Sequence, residues 1–258
     1  MLTWDDVGAP AGAPVVYLHG GGDSRLSRHP DDSIAAGLGI RLVAIDRCGP
    51  AVRGRTLLSW ASEVGEVLDA LGLERVGVVG WSAGGPHALA VAAGLPDRVA
   101  RVALVGSMPM TSGVGALPRD VQRSMRVARW APRLAARALE KWGRRPVAST
   151  GDPLTDDAYT RGRVESFRHG GMWLARELAY LGRPWGFELA DVRAPVTLWW
   201  GESDWVCPPS IARDFEHELP NATLRLVGGT HQLLFARWRD ILADVAMSEG
   251  LSPGHGQS

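Results

Sequence analysis

At 258 residues, of which 45% are hydrophobic, the chain can bury one large core, and we expect a single globular unit. Lysines and arginines equal the acidic residues at 28 each, and the pI near 7.1 gives no electrostatic footprint for nucleic acid or an anionic membrane. We therefore expect a small-molecule partner, with no nucleic acid and no membrane.

The start of the chain, MLTWDDVGAPAGAP, has neither the basic nor the apolar segment of a secretion signal, and no apolar run approaches the roughly 20 residues of a membrane span. These features predict a cytoplasmic protein. Cys48 and Cys207 fit no metal-ligand spacing and are expected to be free thiols. The sequence calls for no metal and no organic cofactor, and it leaves the oligomeric state open.

Short apolar runs alternate with segments of helical periodicity along most of the chain. Runs this apolar are typical of strands that are covered on both faces, so the sheet is predicted to be mostly parallel. The alternation predicts an α/β fold with a doubly wound sheet. At most one weak strand, Leu2 to Trp4, precedes these runs. The predicted strands are residues 15–20, 41–47, 76–82, 99–107, 196–204 and 223–229, and helical spacing marks 59–73, the stretch after Ser82, 209–219 and 233–247.

Residues 108–190 interrupt this rhythm, because they contain several tryptophans and many arginines but no strand pattern. A connection this long needs structure of its own, so we predict a helical cap over the carboxyl edge of the sheet, forming a mobile lid. Residues 1–107 and 191–248 would then form the core, and residues 249–258 a flexible tail.

Arginines in the cap recur at spacings of three and four, which places them along one helical face apart from a break at Pro132. A solvated cap surface explains them, and a site for an anionic substrate is the alternative. They are Arg119, Arg123, Arg126, Arg129, Arg133 and Arg137.

The pentapeptide Gly80-Trp81-Ser82-Ala83-Gly84 matches the pattern G-x-S-x-G where a predicted strand passes into a predicted helix. In that context the pattern predicts a nucleophile elbow, a cramped turn whose flanking positions must be small. The helix that follows directs free N–H groups toward negative charge beside Ser82. The alternative is an ordinary serine N-cap.

A serine nucleophile needs a base, and the base needs an acid that orients it. Asp204 ends a predicted strand in the sequence GESD, and His231 follows another in GGTH. Both side chains would emerge at the sheet edge where Ser82 lies. Each could instead cap a helix, but the two together favour a catalytic triad. We expect Asp204, rather than Glu202, to orient the histidine.

A glycine run, His19-Gly20-Gly21-Gly22, ends the first strong strand. Its bare N–H groups could bind an oxyanion together with the amide of Ala83, although a plain glycine-rich turn is the alternative.

With these residues the chain resembles the serine hydrolases of the α/β-hydrolase superfamily, in a single-domain form with a helical cap. The resemblance implies a Ser82 nucleophile, a His231 base, an Asp204 acid, and an oxyanion hole formed by the amides of Gly21 and Ala83. Dehalogenases and epoxide hydrolases of the superfamily have an aspartate at the elbow, so the serine argues against both. The motifs that carry the resemblance are HGGGDSR at 19–25, DRCGPAVR at 46–53, GWSAGG at 80–85, GESD at 201–204 and GGTH at 228–231.

Two features depart from the family pattern. The loop at 46–53 lacks the second glycine and the serine of D-R-x-G-x-G-x-S, which suggests an unusual substrate shape because this loop borders the site. The short N-terminus puts the two leading strands of the full fold in doubt.

Other residues near the motifs are candidates for the substrate pocket or for structural support. Gly22, Trp81 and Trp205 are proposed as pocket walls, and Met108 and Met110 as part of the cap entrance. His87 is interpreted as a structural, hydrogen-bonded residue. His19 is interpreted as a brace for the glycine run at residues 19–22, here called the oxyanion loop.

The sequence thus predicts a serine hydrolase, carboxylesterase-like, that acts on a small, largely apolar ester, thioester, lactone or related carbonyl compound through an acyl-enzyme. Two alternatives stay open on the same scaffold. One is a lyase, perhydrolase or cyclising enzyme of a natural-product pathway, and the other is a non-catalytic ligand receptor.

Overall fold

Within the described residues, a sheet of seven strands organises the fold, with helices on both of its faces. The computed structural model describes residues 2–48 and 54–246. The strands are β1 (Trp4–Gly8), β2 (Ala13–Leu18), β3 (Ile40–Ile45), β4 (Val76–Trp81), β5 (Val99–Val105), β6 (Val196–Gly201) and β7 (Ala222–Val227).

The strand order is β1-β3-β2-β4-β5-β6-β7, and every neighbouring pair is parallel except β1 with β3. The prediction of a doubly wound, mostly parallel α/β sheet is therefore confirmed, and β2 to β7 correspond to the six apolar runs. The order reverses between β2 and β4, so the loops that leave these two strands diverge and open a crevice at the carboxyl edge.

The apolar character of the strands follows from their coverage on both faces. Val16 and Val78 belong to a core on one face, whereas their neighbours Val15 and Val79 belong to a separate core on the other. Since successive side chains of a strand point to opposite faces, both kinds of position must be apolar.

The N-terminal strand differs from its prediction in position. It covers Trp4–Gly8 rather than Leu2 to Trp4, and it pairs antiparallel with β3 at the edge of the sheet. Two consecutive aspartates obscure the pattern, but each has an arginine partner, Asp5 at 2.8 Å from Arg25 and Asp6 at 2.7 Å from Arg41. An edge strand tolerates such charged positions because part of it faces water.

Helices cover the two faces of the sheet, and four of them lie in residues 108–190, the segment predicted as the cap. The predicted last helix is two helices in the structure, separated at Arg237. Among the described helices, none combines the length and the apolar character that crossing a bilayer requires. The helices are α1 (Ser33–Gly37), α2 (Leu57–Ala70), α3 (Gly84–Gly94), α4 (Arg119–Trp130), α5 (Pro132–Gly143), α6 (Pro153–Ser166), α7 (Met172–Leu181), α8 (Pro209–Glu218), α9 (Leu233–Ala236) and α10 (Trp238–Ala246).

The segment between β5 and β6 contains α4 to α7 and two short 3-10 helices. Residues 108–190, all within the described part of the chain, include no strand. Helices α4, α5 and α7 pack against one another, and Pro132 at the first turn of α5 separates it from α4. Residues 49–53 of the unusual loop and the predicted tail at 249–258 lie outside the described residues.

Candidate active site

Ser82 occupies a strained turn between β4 and α3. Its φ of 53° makes it the one non-glycine residue with positive φ in the described ranges. A Cβ on Gly80 would lie 2.7 Å from the Ala88 Cβ, and a Cβ on Gly84 would overlap the Leu18 carbonyl oxygen. The flanking glycines therefore let the turn pack between strand and helix, as the elbow prediction requires.

The hydroxyl of Ser82 does not cap the helix. The N-cap position of α3 is Ala83, and no side chain caps it. The Ser82 Oγ instead lies 3.0 Å from Nε2 of His231. The N-cap alternative for Ser82 is thus wrong.

His231 and Asp204 approach Ser82 from the loops after β7 and β6. Nδ1 of His231 donates to Oδ2 of Asp204 at 2.8 Å, which leaves Nε2 free to accept from Ser82. The other oxygen, Oδ1 of Asp204, accepts from the amides of Val206 and Cys207 at 2.9 Å each. Both carboxylate oxygens are held, and Glu202 is exposed to solvent.

A glycine that the sequence patterns did not single out makes room for this pair. Gly106, after β5, has a φ of +49°, and a Cβ there would lie 2.9 Å from Oδ2 of Asp204 and 3.1 Å from Nδ1 of His231. Its position at the end of a predicted strand was the available signal, since backbone that approaches a functional side chain closely favours glycine.

Trp81 packs against His231 and does not line the cavity that contains Ser82. Trp81 is 1% exposed, its Nε1 donates to the His231 carbonyl at 3.1 Å, and the centroids of the two rings are 5.7 Å apart. Since Trp81 is the last residue of β4, its side chain points into the core on one face of the sheet. The prediction of Trp81 as a pocket wall is wrong.

Gly21 lies next to the side chain of Ala83, and both residues line the cavity that contains Ser82. A Cβ on Gly21 would lie 3.3 Å from the Ala83 Cβ. Neither amide donates to a backbone acceptor among the described residues, so both N–H groups are available to a ligand oxygen. The structure thus brings together the residues predicted for the oxyanion hole.

The cavity that contains Ser82, the candidate active-site cavity, has a volume of about 490 Å³ and lies between Ser82 and helices α4, α5 and α7. Its walls are mostly apolar, and its polar lining apart from Ser82 is Asp120, Arg123 and Ser124, all on α4. Apolar side chains that line it include Met108, Leu117, Val127, Leu139, Trp142 and Leu174.

Of the five predicted pocket residues, Met108 lines the cavity and the other four do not. Met110 faces a separate cleft beside α8. Trp205 is 71% exposed, because its loop turns outward and Val206 and Cys207 reach the cavity in its place. Gly22, at φ +79°, accommodates the cap, since a Cβ there would lie 2.6 Å from the Trp142 ring.

Two buried histidines have structural partners. His87 Nδ1 donates to the Ala83 carbonyl at 2.7 Å, and its Nε2 accepts from the Tyr180 hydroxyl at 2.7 Å. His19 Nδ1 donates to the Gly20 carbonyl at 2.8 Å. Burial, together with the charge of Arg47, lowers the pKa of both imidazoles well below the usual value, so both rings are neutral.

Both cysteines are free thiols. Cys207 lines the cavity, but burial raises the pKa of its thiol well above the usual value, which disfavours the nucleophilic thiolate. Cys48 lies with His19 and Asp46 in a group whose ligand atoms are within 4.8 Å of one another. Because Nε2 of His19 accepts the Arg47 amide at 3.0 Å and Nδ1 carries the proton, the imidazole has no open nitrogen for a metal.

The six arginines predicted to share a cap face are all exposed, on α4 and α5. One of them, Arg123, lines the active-site cavity. Solvation accounts for the others, as the main interpretation of the sequence expected.

A family model of the alpha/beta hydrolase fold matches residues 13–236. A 2-hydroxy-6-oxo-2,4-heptadienoate hydrolase of Pseudomonas putida is 35% identical over 134 residues, which are 43% of this chain and 44% of that protein, so the alignment spans less than half of the relative. The solved enol-lactonase of Burkholderia xenovorans LB400 has a TM-score of 0.71 at 18% identity and covers 95% of this chain and 94% of its own. An esterase of Exiguobacterium antarcticum has a TM-score of 0.70 at 18% identity, with 95% of each chain covered. The likeness to these two structures concerns the fold alone.

Proposed function

The chain belongs to the α/β-hydrolase fold family, and we propose that it is a serine hydrolase that cleaves a small, largely apolar carbonyl compound through an acyl-enzyme. Esters, thioesters and lactones are the substrate classes that this chemistry admits. The observation that carries the proposal is the continuous path from the Ser82 hydroxyl through His231 to Asp204, at 3.0 Å and 2.8 Å, on a serine held at positive φ. A serine with only a structural role would need none of these three features.

In the proposed reaction, Ser82 Oγ attacks the carbonyl carbon while His231 Nε2 takes its proton. Asp204 keeps the proton of the neutral imidazole on Nδ1 and stabilises the imidazolium that forms. The carbonyl oxygen becomes an oxyanion and accepts hydrogen bonds from the amides of Gly21 and Ala83.

Collapse of the tetrahedral intermediate breaks the bond to the leaving group, which receives the proton from His231. A water molecule, activated by His231, then attacks the acyl-enzyme and regenerates the free hydroxyl of Ser82. Every proton transfer in this reaction uses His231 Nε2, the atom that contacts Ser82.

The cavity supports the choice of substrate class. Most of its lining side chains are apolar, and its two charged residues, Asp120 and Arg123, are both on α4. Desolvating a charged acyl group against such walls would be unfavourable, whereas an alkyl or aryl acyl group gains from burial. The esterase and the enol-lactonase that share the fold are compatible with this class.

A fluorophosphonate probe tests the mechanism directly, because stable adduct formation requires a serine that is activated by its base. We expect one adduct, located on Ser82 by peptide mass spectrometry, and turnover of p-nitrophenyl acetate and butyrate that is abolished in Ser82→Ala. Adduct formation elsewhere, or ester turnover that survives Ser82→Ala, would contradict the proposal. Folded Ser82→Ala should have a circular dichroism spectrum like that of the wild type.

A further inference from the structure

A buried ion pair joins the cap to the loop that contains Gly21. Nε and Nη2 of Arg47 donate to the two carboxylate oxygens of Glu177 at 2.9 Å and 3.3 Å. Arg47 follows β3 in the core, whereas Glu177 is on cap helix α7, and their side chains are 0% and 1% exposed. Because two buried charges tolerate little displacement from each other, the pair fixes the guanidinium in one place.

The same guanidinium holds the oxyanion loop. Arg47 donates from Nη1 to the His19 carbonyl and from Nη2 to the Gly20 carbonyl, the latter at 3.3 Å. The His19 ring donates to the same Gly20 carbonyl at 2.8 Å and accepts the Arg47 amide at 3.0 Å. The Gly20 carbonyl is therefore held by two donors on the Arg47 side of the loop.

This arrangement determines the direction of the Gly21 amide. In a trans peptide the C=O and N–H point in opposite directions, so a Gly20 carbonyl fixed toward Arg47 turns the Gly21 N–H away from it. Gly21 lines the active-site cavity beside Ser82 and Ala83. Its N–H is thus fixed on the side of the loop opposite Arg47 before any substrate binds, and donors fixed in advance are the condition for electrostatic preorganisation.

Helix α7 is also linked, through His87, to Ala83, the residue that would supply the second oxyanion donor. The hydroxyl of Tyr180, one turn after Glu177, donates to His87 Nε2, and His87 Nδ1 donates to the carbonyl of Ala83. One cap helix is therefore linked to backbone carbonyls beside both predicted oxyanion donors, through side chains that do not themselves line the cavity.

We propose that Glu177 is a positioning residue for catalysis: by holding Arg47, it keeps the Gly21 amide directed at the developing oxyanion, so that the cap helps to form the oxyanion hole as well as to enclose the substrate. This inference rests on the proposed hydrolase function. A hydrogen bond made mainly in the transition state affects kcat more than KM, so disturbing it should separate the two constants.

The test compares Glu177→Gln with a double variant, Arg47→Met with Glu177→Leu. An apolar pair leaves no unpaired charge buried, so we expect the double variant to fold even if Glu177→Gln does not. In the variants that fold, we expect kcat for p-nitrophenyl butyrate to fall by about 10- to 100-fold, with KM changed less than about threefold. Phenylboronic acid, whose adduct with serine mimics the tetrahedral intermediate, should bind more weakly by a similar factor.

Asp244→Asn is the matched control. Asp244 is a buried carboxylate on α10 that pairs with Arg225 at 3.1 Å, and neither residue lines the cavity that contains Ser82. It should lose stability without a change in kcat or boronate affinity. Wild-type kcat and boronate affinity in the folded Glu177 variants, with Ser82→Ala inactive, would overturn the inference and leave the hydrolase function standing. Ester turnover by Ser82→Ala would overturn the function itself and the inference with it.

Discussion

Asp204 and His231 form a 2.8 Å hydrogen bond between loops that follow two adjacent strands, β6 and β7. The two residues are 27 positions apart in the chain, and their side chains are 0% and 9% exposed. Because the strands are parallel, both loops leave at the same edge of the sheet, where Ser82 also lies. The pairing is thus a consequence of topology before it is one of local sequence.

Replacing Asp204 by Asn should lower kcat for p-nitrophenyl esters by up to about 10,000-fold while the protein stays folded. An amide cannot accept the Nδ1 proton through its NH₂ group, so the imidazole would favour the tautomer that cannot accept from Ser82. Steady-state kinetics beside thermal unfolding separates the chemical effect from a loss of structure.

Glu202→Gln is the control for that change. Glu202 precedes Asp204 by two residues, is exposed, and has no resolved contact with His231 in the described residues. Its replacement should leave kcat within about twofold. A larger loss in Glu202→Gln than in Asp204→Asn would reverse the assignment of the acid.

Replacing Gly106 by Ala should displace Asp204 and His231. The added methyl group would lie within 3.1 Å of both Asp204 and His231, and a displacement of about 1 Å in such groups can cost on the order of 100-fold in kcat. Gly72→Ala separates this effect from backbone strain, because Gly72 also has a positive φ, +65°, but a Cβ there would meet nothing within 4 Å. Both variants should lose stability, and only Gly106→Ala should lose turnover beyond the loss of folded protein. Equal turnover in the two variants would show that Gly106 has no role in placing the pair.

Enlarging Ala135 tests whether the cavity binds the acyl group. Ala135 is on α5, lines the cavity and is 4% exposed. A phenylalanine there would occupy volume that a long acyl chain needs, so kcat/KM for p-nitrophenyl octanoate should fall by about 10- to 100-fold relative to the acetate. The acetate serves as the internal control for folding and chemistry. A parallel loss for both esters would mean that the acyl chain lies elsewhere.

The features that could be predicted from the sequence depend on local pattern. Strands β2 to β6 are recognisable because each is largely buried and therefore mostly apolar. Strand β7 lies at the edge of the sheet and has exposed residues, but its short apolar run still marks it. Ser82, Asp204 and His231 follow three of these six strands. The position of the N-terminal strand could not be predicted, because the partners of Asp5 and Asp6 are arginines far along the chain.

The features that could not be predicted are the directions of individual side chains and the contacts between residues that are distant in the sequence. Trp81 and Trp205 are both adjacent to site residues, yet strand alternation directs one into the core and its loop turns the other into solvent. The contact of Arg47 with Glu177 joins the core to the cap across 130 residues of the chain, so no local sequence motif indicates it. The mobility of the cap stays a prediction.

Asp23 connects the oxyanion loop to the cap in a way that should depend on pH. It is 2% exposed and lies 3.3 Å from Nε of Arg163 on α6, whose guanidinium stacks 4.0 Å from the ring of Trp142. Burial raises the pKa of the Asp23 carboxyl to about 6, although the charge of Arg163 acts in the opposite direction. The folded protein therefore holds this proton at pH values where the unfolded chain has released it.

The sign of the effect follows from proton linkage. An unfolded aspartate ionises near pH 4, so between about pH 4 and about pH 6 the folded state binds more protons at Asp23 than the unfolded state does. The contribution of Asp23 to the free energy of unfolding is thus present below this window and is lost as the pH rises through it. We expect the wild type to lose on the order of 2 kcal/mol of unfolding free energy relative to Asp23→Asn between pH 4 and pH 6.5. Urea unfolding of both proteins at several pH values measures it, and groups that titrate equally in both cancel from the difference. Parallel pH profiles for the two proteins would mean that Asp23 ionises normally in the folded state and that its contact with Arg163 persists unchanged across this range.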